Sequence, residues 1–554
     1  MTWVVLVQFG ADLLVFACLG QPRMSSADQQ KTENAAAPPA QTEQKQSSLP
    51  RKPQTYWLTR FVILRMLGIV YAVAFLAAAK QIVPLIGSDG LLPIGLFVER
   101  LREHFGSSWS GFTALPSIFW LNHSDGFMLA TAWVGFGLSC VVVAGYANAL
   151  IMLVLWALYM SIVHLGQDWY GYGWEIQLLE TGFLAVFLCP LLDGCPFPRR
   201  APPFIVIVLF QWLIFRIMLG AGLIKIRGDS CWRDWTALYY HFETQPIPNA
   251  LSRWFHFLPR GFLRAGVGFN HFAELVAPWF VFWPGVARRV AGVIILLFQI
   301  TLIIGGNLSF LNWLTIVPAL ACLDDAVWSK LLPRFLVRRA ESAALVARPS
   351  RPMFVAGWAL AVVVGLLSVQ PVHNMFSPRQ IMNTSFDPLD LVNTYGAFGS
   401  VGRERYNVVF EGTDEALPGP NTQWKPYPYR ALPVDCNCCP CQIAPYQPRL
   451  DWQMWFAAMS TPERYPWTVH LVWKLLHNDP GALSLFGANP FPDKPPHYVR
   501  ATLYRYSFAK PGNSDHAWWT REPLGLWLPP LSADDQRLQR FLVNAGWMDI
   551  GKAH

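Results

Sequence analysis

Charge is what this chain has least of. Only 14% of its 554 residues are Asp, Glu, Lys or Arg, against about 25% in ordinary soluble domains. Length alone would suggest roughly three or four soluble domains, but so few charged groups cannot cover that much water-facing surface. A persistent heptad and a Gly-triplet period are also missing, which excludes coiled coil and collagen as global descriptions. An aromatic content of 14% excludes global disorder. No G-x-S-x-G elbow, Walker loop, HExxH helix or dinucleotide fingerprint occurs, so the usual sequence grounds for asserting catalysis are lacking. What the chain has in abundance is apolar surface, 53% of all residues. An integral membrane protein fits that balance.

A helix needs about 20 mostly apolar residues to cross a bilayer core of about 30 Å. Windows that meet or approach this run over 61–82, 127–143, 147–165, 174–192, 204–224, 271–283, 290–305, 308–323 and 353–369. They predict a polytopic helical bundle of about nine spans, with a re-entrant piece as an alternative near His271. The net charge of +8 does not form the single stripe of a nucleic-acid binder. Its bases gather instead between apolar runs: Arg51, Lys52 and Arg60; Arg199 and Arg200; Arg288 and Arg289; and six from Lys330 to Arg351. With nine spans all four clusters fall on the cytoplasmic side, and the chain after Val369 emerges on the lumenal or periplasmic side. The outer loop 225–270 breaks the charge rule, because it carries Lys225, Arg227, Arg233, Arg253, Arg260 and Arg264.

Three regions follow from composition. Residues 1–55 read as a disordered tail, with Met24 as an alternative start. Residues 56–370 form the membrane domain. Residues 371–554 read as a soluble α+β domain. Within the last, Tyr498–Phe508 alternates as a strand, Tyr406–Phe410 is a shorter strand, and Trp467–Leu476 has helical spacing. Asp479 before Pro480 is a helix cap and first turn.

The densest constellation is GAGLIKIRGDSCWRDWTALYYHFE, Gly220 to Glu243, which sets Lys225, Arg227, Asp229, Arg233, Asp234, His241 and Glu243 at a membrane boundary. Ionisable groups there are costly unless paired or hydrated. Two readings stay open: helix-end pairing and snorkelling, or a ligand or client site at the outer mouth of the bundle. His271 and Glu274 stand three apart, but no second His or Cys pair completes a ligand set, so no metal and no cofactor is expected. Arg65, Lys80, Glu175, Glu180, Arg216, Asn307 and Asn312 are the in-span polar residues expected to face the bundle interior. Arg65, Lys225, Arg227, Asp229, His271, Glu274, Asn307 and Asn312 are its expected polar network. Cys436, Cys438, Cys439 and Cys441 crowd into CNCCPC, for which structural disulfides, redox exchange and a soft-metal site all remain open.

Several long blocks carry a resemblance. YWLTRFVILRMLG at Tyr56, LIGSDGLLP at Leu85, GAGLIKIRGDSCWRD at Gly220 and FETQPIPN at Phe242 resemble the lipase maturation factor family. So do GNLSFLNWLT at Gly306, NTYGAFGSVGRER at Asn393 and PRLDWQMWFAA at Pro448. The resemblance implies a protein of the endoplasmic-reticulum membrane, or of the inner membrane in a bacterial member, that helps secreted lipases reach an active, assembled state. It implies a folding factor rather than an enzyme, with a membrane part distantly similar to the vitamin K-dependent carboxylase group. CNCCPC lies outside the family pattern, so no redox role carries over to it.

The leading expectation is a membrane maturation factor whose partners are the bilayer and a secreted lipase or other exported protein, with no nucleic acid. Candidate client contacts are Trp232, Arg233, Asp234, His241 and Glu243 in the loop, and Arg449, Asp451, Trp452 and Trp455 in the C-terminal domain, since aromatics with Arg favour transient interfaces. The competing reading is that the Trp-rich surface docks the outer domain onto the bundle. A membrane-embedded enzyme acting on a lipid or a side chain is the second hypothesis and requires Lys225, His241, Glu243 or His271 to converge on one pocket. Thiol–disulfide exchange at the cysteine cluster is the third.

Overall fold

Long apolar runs become helices whose backbone polar groups are satisfied internally, the only open form a bilayer tolerates. The computed structural model describes residues 55–512 and 516–548; the expected tail, with Met24, lies almost wholly outside them. Five helices are long and apolar enough to cross a membrane: α1 Trp57–Ile86, α3 Asp125–Ala144, α6 Phe204–Gly228, α9 Val286–Gly305 and α11 Arg351–Phe376, counted among the described residues. Helix α2 spans Ile94–Phe105. Two further apolar helices are shorter, α4 Ala149–Leu165 and α10 Leu311–Cys322. Of the remaining expected windows, 174–192 holds the 14-residue α5 Gly173–Val186. The other, 271–283, is broken into a π-turn at Phe272–Val276 and a 3-10 turn at Ala277–Phe282.

Glycine lets the helices close on one another. A Cβ at Gly135 of α3 would lie 2.3 Å from Phe75 of α1, so only glycine admits that ring. Small residues at such crossings are how membrane helices pack without a hydrophobic driving force.

The basic clusters meet at one end of the bundle. Arg60 Nη1 donates to the Arg200 carbonyl at 2.8 Å, and Arg200 Nη1 to the Pro349 carbonyl at 3.2 Å. Arg289 pairs with Asp324 at 2.6 Å. The Asp325 carboxylate accepts the amides of Trp57 and Leu58, each at 2.8 Å, which caps the first turn of α1. At the other end of α1, Gln81 Nε2 donates to the Gln447 carbonyl at 2.8 Å. The two ends of this one helix therefore touch the basic clusters and the C-terminal region respectively.

That region is α+β. Its four-stranded antiparallel sheet has the order β4-β3-β5-β6, with β3 Arg405–Thr413, β4 Lys425–Pro426, β5 Tyr498–Phe508 and β6 Trp519–Leu531; a separate two-stranded pair joins β1 Thr384–Ser385 to β2 Asn393–Thr394. Val409 faces Thr502, and Phe508 faces Trp519. Strand β6 carries Pro523, Pro529 and Pro530, which an edge strand accepts because no further ladder needs those amides. Helices α12 Arg449–Ala457 and α13 Trp467–Leu476 complete the region. The Asp479 side chain accepts the Ala482 amide at 2.7 Å and caps the short helix after it.

Candidate functional site

The last turns of α6 carry Lys225 and Arg227, cations facing the negative end of the helix dipole. Lys225 is buried, its Nζ 2.5 Å from Glu274 Oε1 and 5.2 Å from the Trp232 ring. The other Glu274 oxygen accepts from Asn270 Nδ2 at 2.9 Å. Glu274 belongs to the π-turn, a form enriched at functional positions. A Cβ at Gly222 would lie 2.6 Å from Leu275, so glycine there permits the approach that joins Lys225 to Glu274. His271 Nε2 lies 3.0 Å from the Trp232 carbonyl. His241 stands edge-on to Phe398 with ring centres 4.8 Å apart. Burial, and then the Lys225 charge, pushes its imidazole down to about 4.

Lys225, His271 and Glu274 thus gather around Trp232, with His241 within electrostatic reach of Lys225. Glu243 does not join them: its carboxylate accepts the Phe508 amide of β5 at 2.7 Å, and burial holds it above the usual carboxylate range. The other members of the expected network make separate contacts. Arg65 donates to the Gly145 carbonyl. Arg227 donates to the Met375 carbonyl at 2.6 Å and to Gln380 at 2.9 Å. Asp229 takes a two-pronged bond from Arg403, which holds its carboxyl well below the usual range. Asn312 bonds Gln299 at 2.8 Å. Lys80 is exposed, not interior; its neighbour Gln81 is the residue on the inward face.

Of the candidate client contacts in the loop, Arg233 and Asp234 are exposed while Trp232 and His241 are buried. Trp232 Nε1 is used up on the Phe398 carbonyl at 2.8 Å. Sequence reasoning passed over Trp235, which is exposed and has φ +60, a backbone setting that is strained for a bulky residue. A Cβ at Gly268 would lie 2.7 Å from its ring, so that glycine admits the ring.

Of the candidates in the C-terminal domain, Arg449, Trp452 and Trp455 contact the membrane domain, while Asp451 turns into the C-terminal domain itself. Arg449 is fully buried, with Nη1 2.9 Å from Glu175 Oε1 of α5 and its guanidinium 3.6 Å over the Tyr170 ring. Burial alone would weaken its hold on the proton, but Glu175, Tyr170 and Tyr159 outweigh that and raise its pKa. Tyr159 donates to the other Glu175 oxygen. Trp452 packs against Trp174 with ring centres 4.8 Å apart. Asp451 accepts the Ala431 and Leu432 amides at 2.6 and 2.9 Å, and burial pushes its carboxyl up to about 6. Trp455 Nε1 donates to the Thr244 carbonyl at 3.1 Å.

A second buried pair, Arg216 with Glu180, ties α6 to α5 and to β2: Arg216 Nη1 donates to the Asn393 carbonyl at 2.8 Å, and Tyr395 donates to Glu180 at 2.7 Å. Arg405, another residue without a local signal, cradles the carbonyls of Glu243, Gln245 and Pro246 in the FETQPIPN segment.

Asn307 ties the cysteine segment to the bundle. Its Nδ2 donates to the Cys441 carbonyl at 2.8 Å, and its Oδ1 accepts the Ile443 and Ala444 amides at 2.8 and 2.9 Å. Cys436, Cys438, Cys439 and Cys441 are free thiols, the last three exposed. Among the described residues no three His, Cys, Asp or Glu side chains are grouped to hold a metal ion.

Comparison with known proteins covers both halves of this architecture. Residues 58–330 match the profile of the lipase maturation factor transmembrane domain, and residues 391–529 that of the lipase maturation factor C-terminal domain. Lipase maturation factor 1 of Bos taurus is 48% identical over 507 residues, covering 87% of this chain and 90% of that protein. The Homo sapiens protein of the same name is 46% identical over 517 residues, covering 89% and 91%. Lipase maturation factor 2 of Rattus norvegicus is 28% identical over 611 residues, covering 88% and 85%. No solved structure matches.

Proposed function

Because the chain belongs to the lipase maturation factor family, we propose that it is a membrane-embedded maturation factor that brings exported lipases to their active state. The C-terminal domain lies on the side where exported chains fold: lumenal in the endoplasmic reticulum, periplasmic in a bacterium. One observation carries this reading. Helix α1 meets the basic clusters at one end and the C-terminal domain at the other, and basic clusters mark the cytoplasmic face.

The client surface reduces to loop residues whose side chains stay exposed. Arg233, Asp234 and Trp235 are exposed on the outer loop, while Arg449 and Trp452 serve the joint between domain and bundle and Asp451 holds the domain's own Ala431 and Leu432 amides. An exposed, conformationally strained tryptophan flanked by charges has the make-up of an interface anchor. The test is rescue of lipase secretion in cells lacking their own maturation factor. The intact chain restores secreted activity, and Trp235→Ala with Arg233→Ala loses both rescue and crosslinking to newly made lipase. Rescue undiminished by the double substitution overturns this assignment of the client surface.

An enzymatic reading draws support from the buried Lys225–Glu274 pair on a π-turn, close to His241 and His271. It predicts that Lys225→Met with Glu274→Leu keeps the fold and client capture but abolishes maturation. Loss of capture together with maturation makes the pair structural.

A further inference from the structure

Helices α7, Ala250–His256, and α8, Arg260–His271, follow one another in the outer loop, and both pack on the short helix Leu238–Thr244. Their inner side is buried through Ser252, Arg253, Leu263 and Val267. Their outer edge is apolar and uncovered: Leu251, Trp254, Phe257, Leu258 and Phe262 are all exposed, Phe262 at 69%. On a water-facing surface a contiguous patch of this kind is adhesive.

The position of these two helices says what covers them. Asn249 Nδ2 donates to the Ile304 carbonyl at 2.9 Å, and Ser252 Oγ to the Gly305 carbonyl at 2.7 Å, so α7 begins at the last turn of the span α9. That span exposes Val290, Val293, Leu297, Ile300 and Ile304, side chains that face hydrocarbon in any bilayer it crosses. At its other end α8 runs into the π-turn and the 3-10 segment, which expose Phe272, Val276 and Trp279. Both ends of the segment 250–271 therefore continue into lipid-facing surface. Arg260, held 5.7 Å from the Tyr239 ring, and Arg264, one turn on, are both exposed on α8. Aromatic rings mixed with Arg at the edge of a span are the composition of the headgroup layer, where rings enter the acyl boundary and guanidinium groups reach phosphate.

We propose that the two-helix segment 250–271 lies in the outer headgroup layer of the bilayer, its apolar edge in the acyl boundary and Arg260 and Arg264 level with lipid phosphates. This accounts for the loop that breaks the charge rule, since bases that neutralise outer-leaflet phosphate do not report on sidedness. The proposal uses different residues from the client surface and stands or falls separately from it.

The test uses the full chain in nanodiscs of phosphatidylcholine with phosphatidylglycerol. Ketone side chains are introduced at Trp254 or Phe262 and spin-labelled, a chemistry that leaves the native thiols alone. Val293 on α9 serves as the lipid reference and Leu417, exposed in the C-terminal domain, as the water reference. The expected oxygen-to-nickel accessibility ratio at both positions is several-fold above Leu417 and below Val293. Ratios equal to Leu417 overturn the proposal and leave a water-facing patch for a protein partner. The unsubstituted protein supplies a second readout: lipids with an acyl-chain diazirine are crosslinked and the adducts mapped. Adducts within 250–264 are expected, and their absence while 286–305 is labelled overturns the proposal.

Discussion

Arg449 and Glu175 lie 2.9 Å apart with neither side chain accessible to solvent, joining the first helix-forming turn of the C-terminal domain to a bundle helix 274 positions earlier. The pair ties the membrane part to the C-terminal domain. Leaving one charge of a buried pair unpartnered costs about 3–5 kcal/mol.

Glu175→Gln is accordingly expected to lower the stability of the whole chain by that order, read as thermal unfolding in detergent and as faster proteolysis after residue 371. Glu175→Leu combined with Arg449→Met removes both charges and is expected to recover most of the loss. Equal destabilisation by the single and the double variant would show that the ion pair does not make the joint.

His241 sets a pH dependence. Its ordinary value is 6.5 and its folded value about 4, so on acidification the unfolded chain takes up the proton first. The stabilisation is complete above about 6.5 and is lost as pH falls toward 4, by up to about 3 kcal/mol. His241→Phe flattens that slope in unfolding curves recorded across the window; an unchanged slope assigns the dependence to other groups.

Asp451 has the opposite sign. Its folded value of about 6 lies above the ordinary 3.8, so the folded state keeps the proton longer and stability declines as pH rises through this range. Its Oδ1 takes both backbone amides while Oδ2 is buried without a hydrogen-bond partner. Asp451→Asn preserves the accepting oxygen and is expected to stabilise the protein at pH 7 by about 1–3 kcal/mol. Destabilisation of that size would mean the carboxylate is needed in its ionised form.

Thiol accessibility tests the cysteine segment. Maleimide is expected to label Cys438, Cys439 and Cys441 well before the buried Cys231 and Cys322. Asn307→Ala removes the bonds to Cys441, Ile443 and Ala444 and is expected to speed labelling at Cys441 several-fold while Cys322 stays protected. Unchanged labelling at Cys441 would show that Asn307 does not hold the segment.

Local patterns in the sequence carried the secondary structure. Trp467–Leu476 and Tyr498–Phe508 adopt the helix and strand that their periods predict, and Asp479 caps the helix that Pro480 begins. Long-range pairing left no such trace. The helix RLDWQMWFA reads as an exposed interface because it combines tryptophans with Arg, yet Glu175, Tyr170 and Trp174 consume its surface from far away in the chain. Arg405 and Trp235 escaped notice because a guanidinium that gathers carbonyls and a positive φ at tryptophan have no periodic signature. The cluster around Lys225 was visible because opposite charges stand together at the end of an apolar run.

The account depends most on which side of the membrane the C-terminal domain occupies. Gln423→Thr converts exposed Asn421 into an Asn-Thr-Thr glycan acceptor on the segment between β3 and β4. Translated into sealed microsomes, this variant is predicted to gain an endoglycosidase-sensitive mass increase and to keep the domain protected from added protease. An unglycosylated chain whose C-terminal domain is digested while the microsomes remain sealed would contradict the account.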